Sequence, residues 1–218
     1  MEIVILTMLV NHVLLGIFWV IYCVLHSVLA SLHVKEKIAA LFSKAFRYYR
    51  IFYTVFAFAG LALILLMMFR MESPLLFQLT MFFIIAGILL SFSGLVLMLI
   101  CIRKYFFSLS GLKSLFYEGH SHQLIITGVH RYVRHPLYLG TFAFIWGLFL
   151  LMPYASVLIT NIVITIYTLF GIHLEEQKLL KEFGSDYAHY RLQVPRLLPS
   201  FKKRFKNQTT AGNARFTD

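Results

Sequence analysis

Apolar residues in this chain fall into runs too long and too unbroken for the alternating faces of soluble helices or strands. A hydrocarbon core about 30 Å thick takes roughly 20 helical residues. The runs 3–30, 51–69 and 75–102 therefore predict three spans. The apolar stretch 138–174 is broken only at Met152-Pro153-Tyr154, which predicts two more spans, 138–152 and 154–174, joined as a tight helical hairpin. The fourth span is short and must tilt little or sit in a thinned bilayer. The expected fold is all-α: one integral membrane domain over 1–218 with five transmembrane helices and a C-terminal amphipathic helix. The first run reads as a retained span, because Glu2 is the only charge before it and no basic leader precedes the apolar core.

Charge tests this topology independently, since Lys and Arg accumulate on the cytoplasmic side. The loop after the first span holds Lys35, Lys37, Lys44, Arg47 and Arg50, and the loop after the third holds Arg103, Lys104, Lys113, Arg131 and Arg134. All other cations except Arg70 lie in the tail from Glu175 onward. Five spans with the N-terminus outside and the C-terminus in the cytoplasm put both basic loops and the tail on one side, as in a bacterial inner-membrane protein. The net charge of +11 is then a topology signal. It does not mark a nucleic-acid binder, which needs its cations on a solvated domain. With 60% hydrophobic and 13% charged residues, the lipid bilayer is the first partner expected. Cys23 and Cys101 lie in apolar runs and act as small hydrophobes. The basic stretch Lys202-Lys203-Arg204-Phe205-Lys206 reads as a lipid anchor, and the tail 200–218 as disordered.

Polar residues are scarce, so their clustering is informative. One cluster runs from Thr127 to Tyr138, where Pro136 suits the first turn of a helix and His135 its cap. Free backbone amides at that helix start, with Arg134 beside them, would suit a carboxylate or phosphate. The plainer reading is that Arg134 and His135 snorkel to the interface. A second cluster, His173 with Glu175 and Glu176, opposes the helix dipole at a span end and needs compensation. Glu175 can pair with Lys178, and Lys178 with Glu182. Glu176 points about 100° away and is left to accept hydrogen bonds, for example from a ribose diol. The helix then becomes amphipathic and is expected to stop at Gly184 before Tyr187, Tyr190, Pro195 and Pro199.

The combined pattern Thr127-Gly128-Val129, Tyr132-Val133-Arg134-His135-Pro136-Leu137-Tyr138-Leu139-Gly140, Glu175-Glu176, Leu179, Phe183-Gly184, Tyr187, Tyr190, Val194-Pro195 and Pro199 resembles the isoprenylcysteine carboxyl methyltransferase and phospholipid methyltransferase superfamily. The resemblance implies an S-adenosylmethionine pocket built from about 120–138 and 173–199. Its contacts would be His122, Leu124, Ile125, Gly128, His135, Pro136, Leu137, Tyr138, Glu175, Glu176, Tyr187 and Tyr190, with His135, Arg134 and His130 nearest the chemistry. The N-terminal His26-Ser27-Val28-Leu29-Ala30-Ser31, with Val34-Lys35 and Tyr49-Arg50, resembles a bacterial branch that includes methanethiol S-methyltransferase and NnrU-like membrane proteins. Two departures stand out: His130 replaces a usual tyrosine, and Gly171 or Ile172 stands where carboxyl methyltransferases carry an arginine for the substrate carboxylate. The second disfavours a prenylcysteine carboxylate.

The implied activity is methylation of a small thiol or a membrane-embedded acceptor, with prenylcysteine carboxyl or phospholipid amine methylation as the alternative. Methyl transfer from a sulfonium is an in-line displacement that needs alignment and dryness, and no metal. His130, His135, His122 or His26 could take a proton from the acceptor, and the sequence does not choose among them. A non-enzymatic NnrU-like or haem-associated protein is the reading from another class. Only His12, His26 and His173 lie in or at the ends of spans, a poor set for haem, and His120 with His122 lack further metal ligands nearby. No protein partner is implied.

Overall fold

A computed structural model describes residues 2–41, 46–109, 126 and 128–199. The described residues are helical but for short connections: α1 Glu2–Ala30, α2 Leu32–Leu41, α3 Phe46–Arg70, α4 Met81–Leu109, a single 3-10 turn Gly128–Arg131, α5 Pro136–Leu151 and α6 Ala155–Gln193. Four helices are long and apolar enough to cross a membrane, over Glu2–Ala30, Ile51–Arg70, Met81–Arg103 and Ala155–Gln193, and Pro136–Leu151 is a shorter apolar helix. The all-α membrane architecture is as expected, with two local differences.

The third span begins at Met81, because residues 71–80 are spent on an extended connection. Pro74 lacks an amide, and its carbonyl accepts from the N–H of Ala155, while Leu76 N–H donates to the Pro153 carbonyl. An isolated antiparallel bridge, Leu75 with Tyr154, results. Residues 32–41, expected as loop, form the short helix α2. The last apolar helix breaks at Gly184, where the sequence places its end. That glycine adopts φ 53°, ψ −123°, a conformation glycine takes without strain, and helical geometry resumes beyond it to Gln193. The chain is re-aimed there, and 155–174 is the apolar part of α6.

The chain divides into two compact units, Met1–Leu89 with Ile145–Leu169, and Leu90–Phe144 with Phe170–Asp218. In the first, Leu15, Trp19 and Cys23 of α1 pack with Ile64 and Met68 of α3 and Val157 of α6. The polar groups inside it are paired: Trp19 Nε1 donates to Thr160 Oγ1, Asn161 Nδ2 to the Ile145 carbonyl and Trp146 Nε1 to Thr165 Oγ1. In a bilayer such pairing is required, because no water can replace it. His12 is likewise closed, with Nδ1 on the Met8 carbonyl and Nε2 on Ser73 Oγ.

In the second unit α4 and α5 approach closely through glycines, the usual device where lipid offers no hydrophobic drive to association. A methyl placed on Gly94 would lie 2.5 Å from the Phe144 nitrogen and 2.6 Å from the Gly140 carbonyl oxygen. Both obstacles are backbone, so a helix must shift. By contrast, a methyl on Gly171 would meet nothing within 4 Å. Gly94→Ala is expected to lower thermal stability in detergent, by about 1–3 kcal/mol on the scale of overpacked cores. Gly171→Ala is expected to leave stability equal or slightly raised. Equal effects of the two substitutions would show that the α4–α5 approach is not close.

Candidate functional site

The second unit gathers the polar cluster. It begins at Gly128, whose φ of 59° starts the 3-10 turn and favours glycine. Val133 buries itself at 2% exposure, and Pro136 opens α5 with its fixed helical φ. Between them Arg134 and His135 turn inward. On α6, Ile172 and Glu176 share one inward face four residues apart, at 0% and 5% exposure. Beyond the Gly184 bend, Tyr187, Tyr190 and Val194 pack with Ile126, and Leu179, Leu180 and Phe183 lie against them.

Glu176 is the hub. Its Oε1 receives Arg134 NH2 at 2.8 Å and His135 Nε2 at 3.2 Å, and its Oε2 faces Arg196 Nε at 3.7 Å and Arg191 Nε at 3.9 Å. Arg134 is saturated on the far side as well, since NH1 donates to the carbonyls of Arg191 and Val194 at 2.8 and 3.1 Å. Burial raises the Glu176 pKa, but Arg134, His135 and Arg196 outweigh it and hold the carboxyl below its ordinary value. Burial dominates at His135 and lowers its pKa, with Glu175 and Glu176 opposing and Arg134 assisting, so its neutral form is favoured.

Residues 194–199 lie as a strap across the start of α5. Arg134 N–H donates to the Pro195 carbonyl at 2.9 Å and His135 N–H to the Arg196 carbonyl at 3.2 Å. Tyr190 Oη donates to the His130 carbonyl at 2.6 Å, tying the 3-10 turn to the same segment. The amides of Arg134 and His135, just before the helix start, are thus taken by the chain itself.

The structure brings together His135, Pro136, Arg134, Glu175, Glu176, Tyr187 and Tyr190, with the His130 backbone. His122, Leu124 and Ile125 lie outside the described residues. The acidic pair divides its roles in a way the sequence did not foresee. Glu176 has Oε1 held by Arg134 and His135 and Oε2 faced by two more arginines, whereas Glu175 has a side chain 45% exposed and, among the described ion pairs, meets only His135 Nδ1, at 3.8 Å. Among the described ion pairs Glu175 meets His135 and not Lys178, because its side chain reaches back to the cap of α5. His173 bonds to Gln177 at 2.8 Å and stays exposed. Arg191 and Arg196 were missed. The available signal was two arginines flanking Val194-Pro195 in a chain poor in charge.

Comparisons with known proteins find methyltransferases. Residues 82–186 match the phospholipid methyltransferase family. A methanethiol S-methyltransferase of Crocosphaera subtropica is 43% identical over 77 residues, which cover 34% of this chain and 29% of that protein. A protein-S-isoprenylcysteine O-methyltransferase of Schizosaccharomyces pombe is 38% identical over 81 residues, 36% of this chain and 34% of the relative. Its human counterpart is 32% identical over 89 residues, 39% and 30%. The chain spans about a third of the length of these relatives. No solved structure matches. The superfamily resemblance seen in the motifs is borne out, and with it the expectation of a methyl donor.

Both ionisable centres make acid destabilising. The folded His135 resists protonation, so stability falls as pH drops below the ordinary imidazole value of 6.5. The depressed carboxyl of Glu176 adds stability above its ordinary 4.5 that is lost as pH falls through the folded value. Thermal unfolding in detergent across pH should show both limbs. His135→Asn is expected to flatten the upper limb, and Glu176→Gln the lower. A wild-type melting temperature constant from pH 7 to pH 4, within about 2 °C, would contradict the buried pair.

Proposed function

We propose that this chain is an integral membrane methyltransferase that uses S-adenosylmethionine and acts on a small thiol or a membrane-embedded acceptor. The observation that carries the reading is the buried Arg134–Glu176–His135 hub at the start of α5, within the segment that matches the methyltransferase family. The residues fit an adenosyl amino-acid ligand on two counts. Tyr187 Oη is buried, at 1% exposure of the residue, without a hydrogen-bond partner. Glu175 offers a half-exposed carboxylate beside it in charge if not in contact, since both acidic side chains raise the Tyr187 pKa after burial has done so, to about 12.

When bound, the cofactor supplies an electrophilic methyl on a sulfonium. Glu175 would accept from its polar groups, Tyr187 would donate to it, and Pro136, Leu137 and Tyr138 would form the wall at the helix start. His122, Leu124, Ile125 and Gly128 complete the proposed contacts from the preceding segment, and Tyr190 shapes the pocket by holding the His130 carbonyl. Arg134 and His135 position Glu176 and the strap; with both carboxylates near it, His135 is a poor free base for the acceptor. His130 stays a candidate for that role. We place the N-terminus outside and the C-terminus in the cytoplasm of a bacterial inner membrane, on the charge asymmetry of the loops.

Isothermal titration of the full chain in detergent with S-adenosylhomocysteine tests the reading. Binding in the micromolar range is expected, with Glu175→Gln and His135→Ala each weakening it about tenfold or more. No binding at millimolar ligand would refute the enzyme.

A further inference from the structure

The hub holds more cation than it needs. Arg134, Arg191 and Arg196 all lie within 4 Å of the Glu176 carboxylate, and Glu175 is the one further carboxylate among the described ion pairs there. With His135 favouring its neutral form, three guanidiniums face two carboxylates, one of them turned half to solvent. The hydrogen-bond inventory is lopsided in the same sense. Arg134 Nε, Arg196 Nε and Tyr187 Oη are buried and make no hydrogen bond. Arg134 and Tyr187 are more than nine-tenths buried as side chain and residue respectively. Arg131 Nε is a fourth such buried group; all four can donate, three of them charged, and a buried donor left unmade costs about 1–3 kcal/mol. What is missing is an acceptor with negative charge.

Arg196 also arrives by an unexpected route. The helix position where carboxyl methyltransferases place a carboxylate-binding arginine holds Gly171 or Ile172, with open space at the first and full burial at the second. Arg196 instead comes from the strap, with its own carbonyl fixed on His135 N–H and that of Pro195 on Arg134 N–H. Its Nε at 3.7 Å from Glu176 is too long for a hydrogen bond and leaves that donor available.

We propose that Arg196, with Arg134 Nε and the Tyr187 hydroxyl, forms an oxyanion site that takes a carboxylate of a molecule bound against the start of α5. This rests on the methyltransferase reading above and adds to it the part of the site that selects charge. A carboxylate there has two sources, the amino-acid end of the methyl donor or the head of the acceptor. Either restores the balance of charge around Glu176 and gives the unsatisfied donors a partner.

The experiment is calorimetry on the full chain in detergent, comparing wild type, Arg196→Gln, Arg196→Lys and Tyr187→Phe, with folding followed by melting temperature. The probes are S-adenosylhomocysteine, its decarboxylated analogue, and N-acetyl-S-farnesylcysteine with its methyl ester. If the donor's carboxylate is bound, Arg196→Gln weakens S-adenosylhomocysteine about tenfold or more and leaves the decarboxylated analogue unchanged, and Arg196→Lys and Tyr187→Phe give smaller losses of the same selectivity. If the acceptor's carboxylate is bound, S-adenosylhomocysteine is indifferent to the substitutions. The saturated wild type then prefers N-acetyl-S-farnesylcysteine over its ester about tenfold, and Arg196→Gln abolishes the preference. The proposal is overturned if folded Arg196→Gln protein binds every probe as the wild type does, or loses carboxylate-bearing and carboxylate-free probes equally. A wild type that binds the decarboxylated analogue as tightly as S-adenosylhomocysteine and shows no preference for the farnesylcysteine acid also overturns it, while leaving the cofactor pocket standing. A wild type that binds no adenosyl ligand refutes the methyltransferase reading itself.

Discussion

The Arg134–Glu176 ion pair sets the geometry of the second unit. A carboxylate at 5% exposure on a helix that has just left an apolar stretch is tolerable only with its charge matched and its lone pairs occupied. Arg134 matches the charge and donates to Oε1, and because a guanidinium has five N–H donors in a fixed fork, one residue can also reach two carbonyls of the chain beyond Gly184. The same side chain thus joins the cap of α5, the inward face of α6 and the end of that helix. Removing one partner would leave an isolated buried charge, at a cost of about 3–5 kcal/mol. Such a pair adds less to stability than to definition: it fixes which of two neighbouring acids faces in.

That division of labour is the main thing the hub does for chemistry. Glu176 is held by cations, and Glu175, one residue earlier, keeps a half-exposed carboxylate. The neutral preference of His135 follows from its burial, and it keeps the imidazole as a donor to Glu176 without adding a further full charge. Arg191 from the end of α6 and Arg196 from the strap complete the ring. A protein with few polar residues has concentrated them where an apolar solvent makes each one count.

The spans were legible because bilayer thickness acts on composition directly: 20 apolar residues are needed whatever they pack against. The hairpin at Pro153 and the helix start at Pro136 were legible for the same local reason, a missing amide. The start of the third span was not, because Leu75, Leu76 and Leu79 are as apolar as the helix that follows, and only the backbone bonds of Leu76 and Ala155 to the hairpin turn decide that they are extended. The break at Gly184 was legible, and the resumption of helix beyond it to Gln193 was not. At the site, the motif residues were legible and their partners were not. Glu176 was expected to be available; it pairs with Arg134 and His135 of the motif itself, and Arg191 and Arg196, which also face it, lie 15 and 20 residues later in the chain and carry no periodic signal. His26 shows the same limit: it bonds not to a backbone carbonyl but to the hydroxyls of Tyr53 and Tyr167, from two other helices.

The strap is fastened by main-chain groups, the amides of Arg134 and His135 on the carbonyls of Pro195 and Arg196. Main-chain fastening is indifferent to which side chain rides on the residue fastened. Position 196 is therefore held in place by a clasp that does not involve its own guanidinium, and it can be exchanged without unpicking the clasp. A scaffold of this kind separates the problem of keeping a loop shut from the problem of choosing what it greets. Descendants of one such chain could change the charge they welcome by a single codon while inheriting the closure intact.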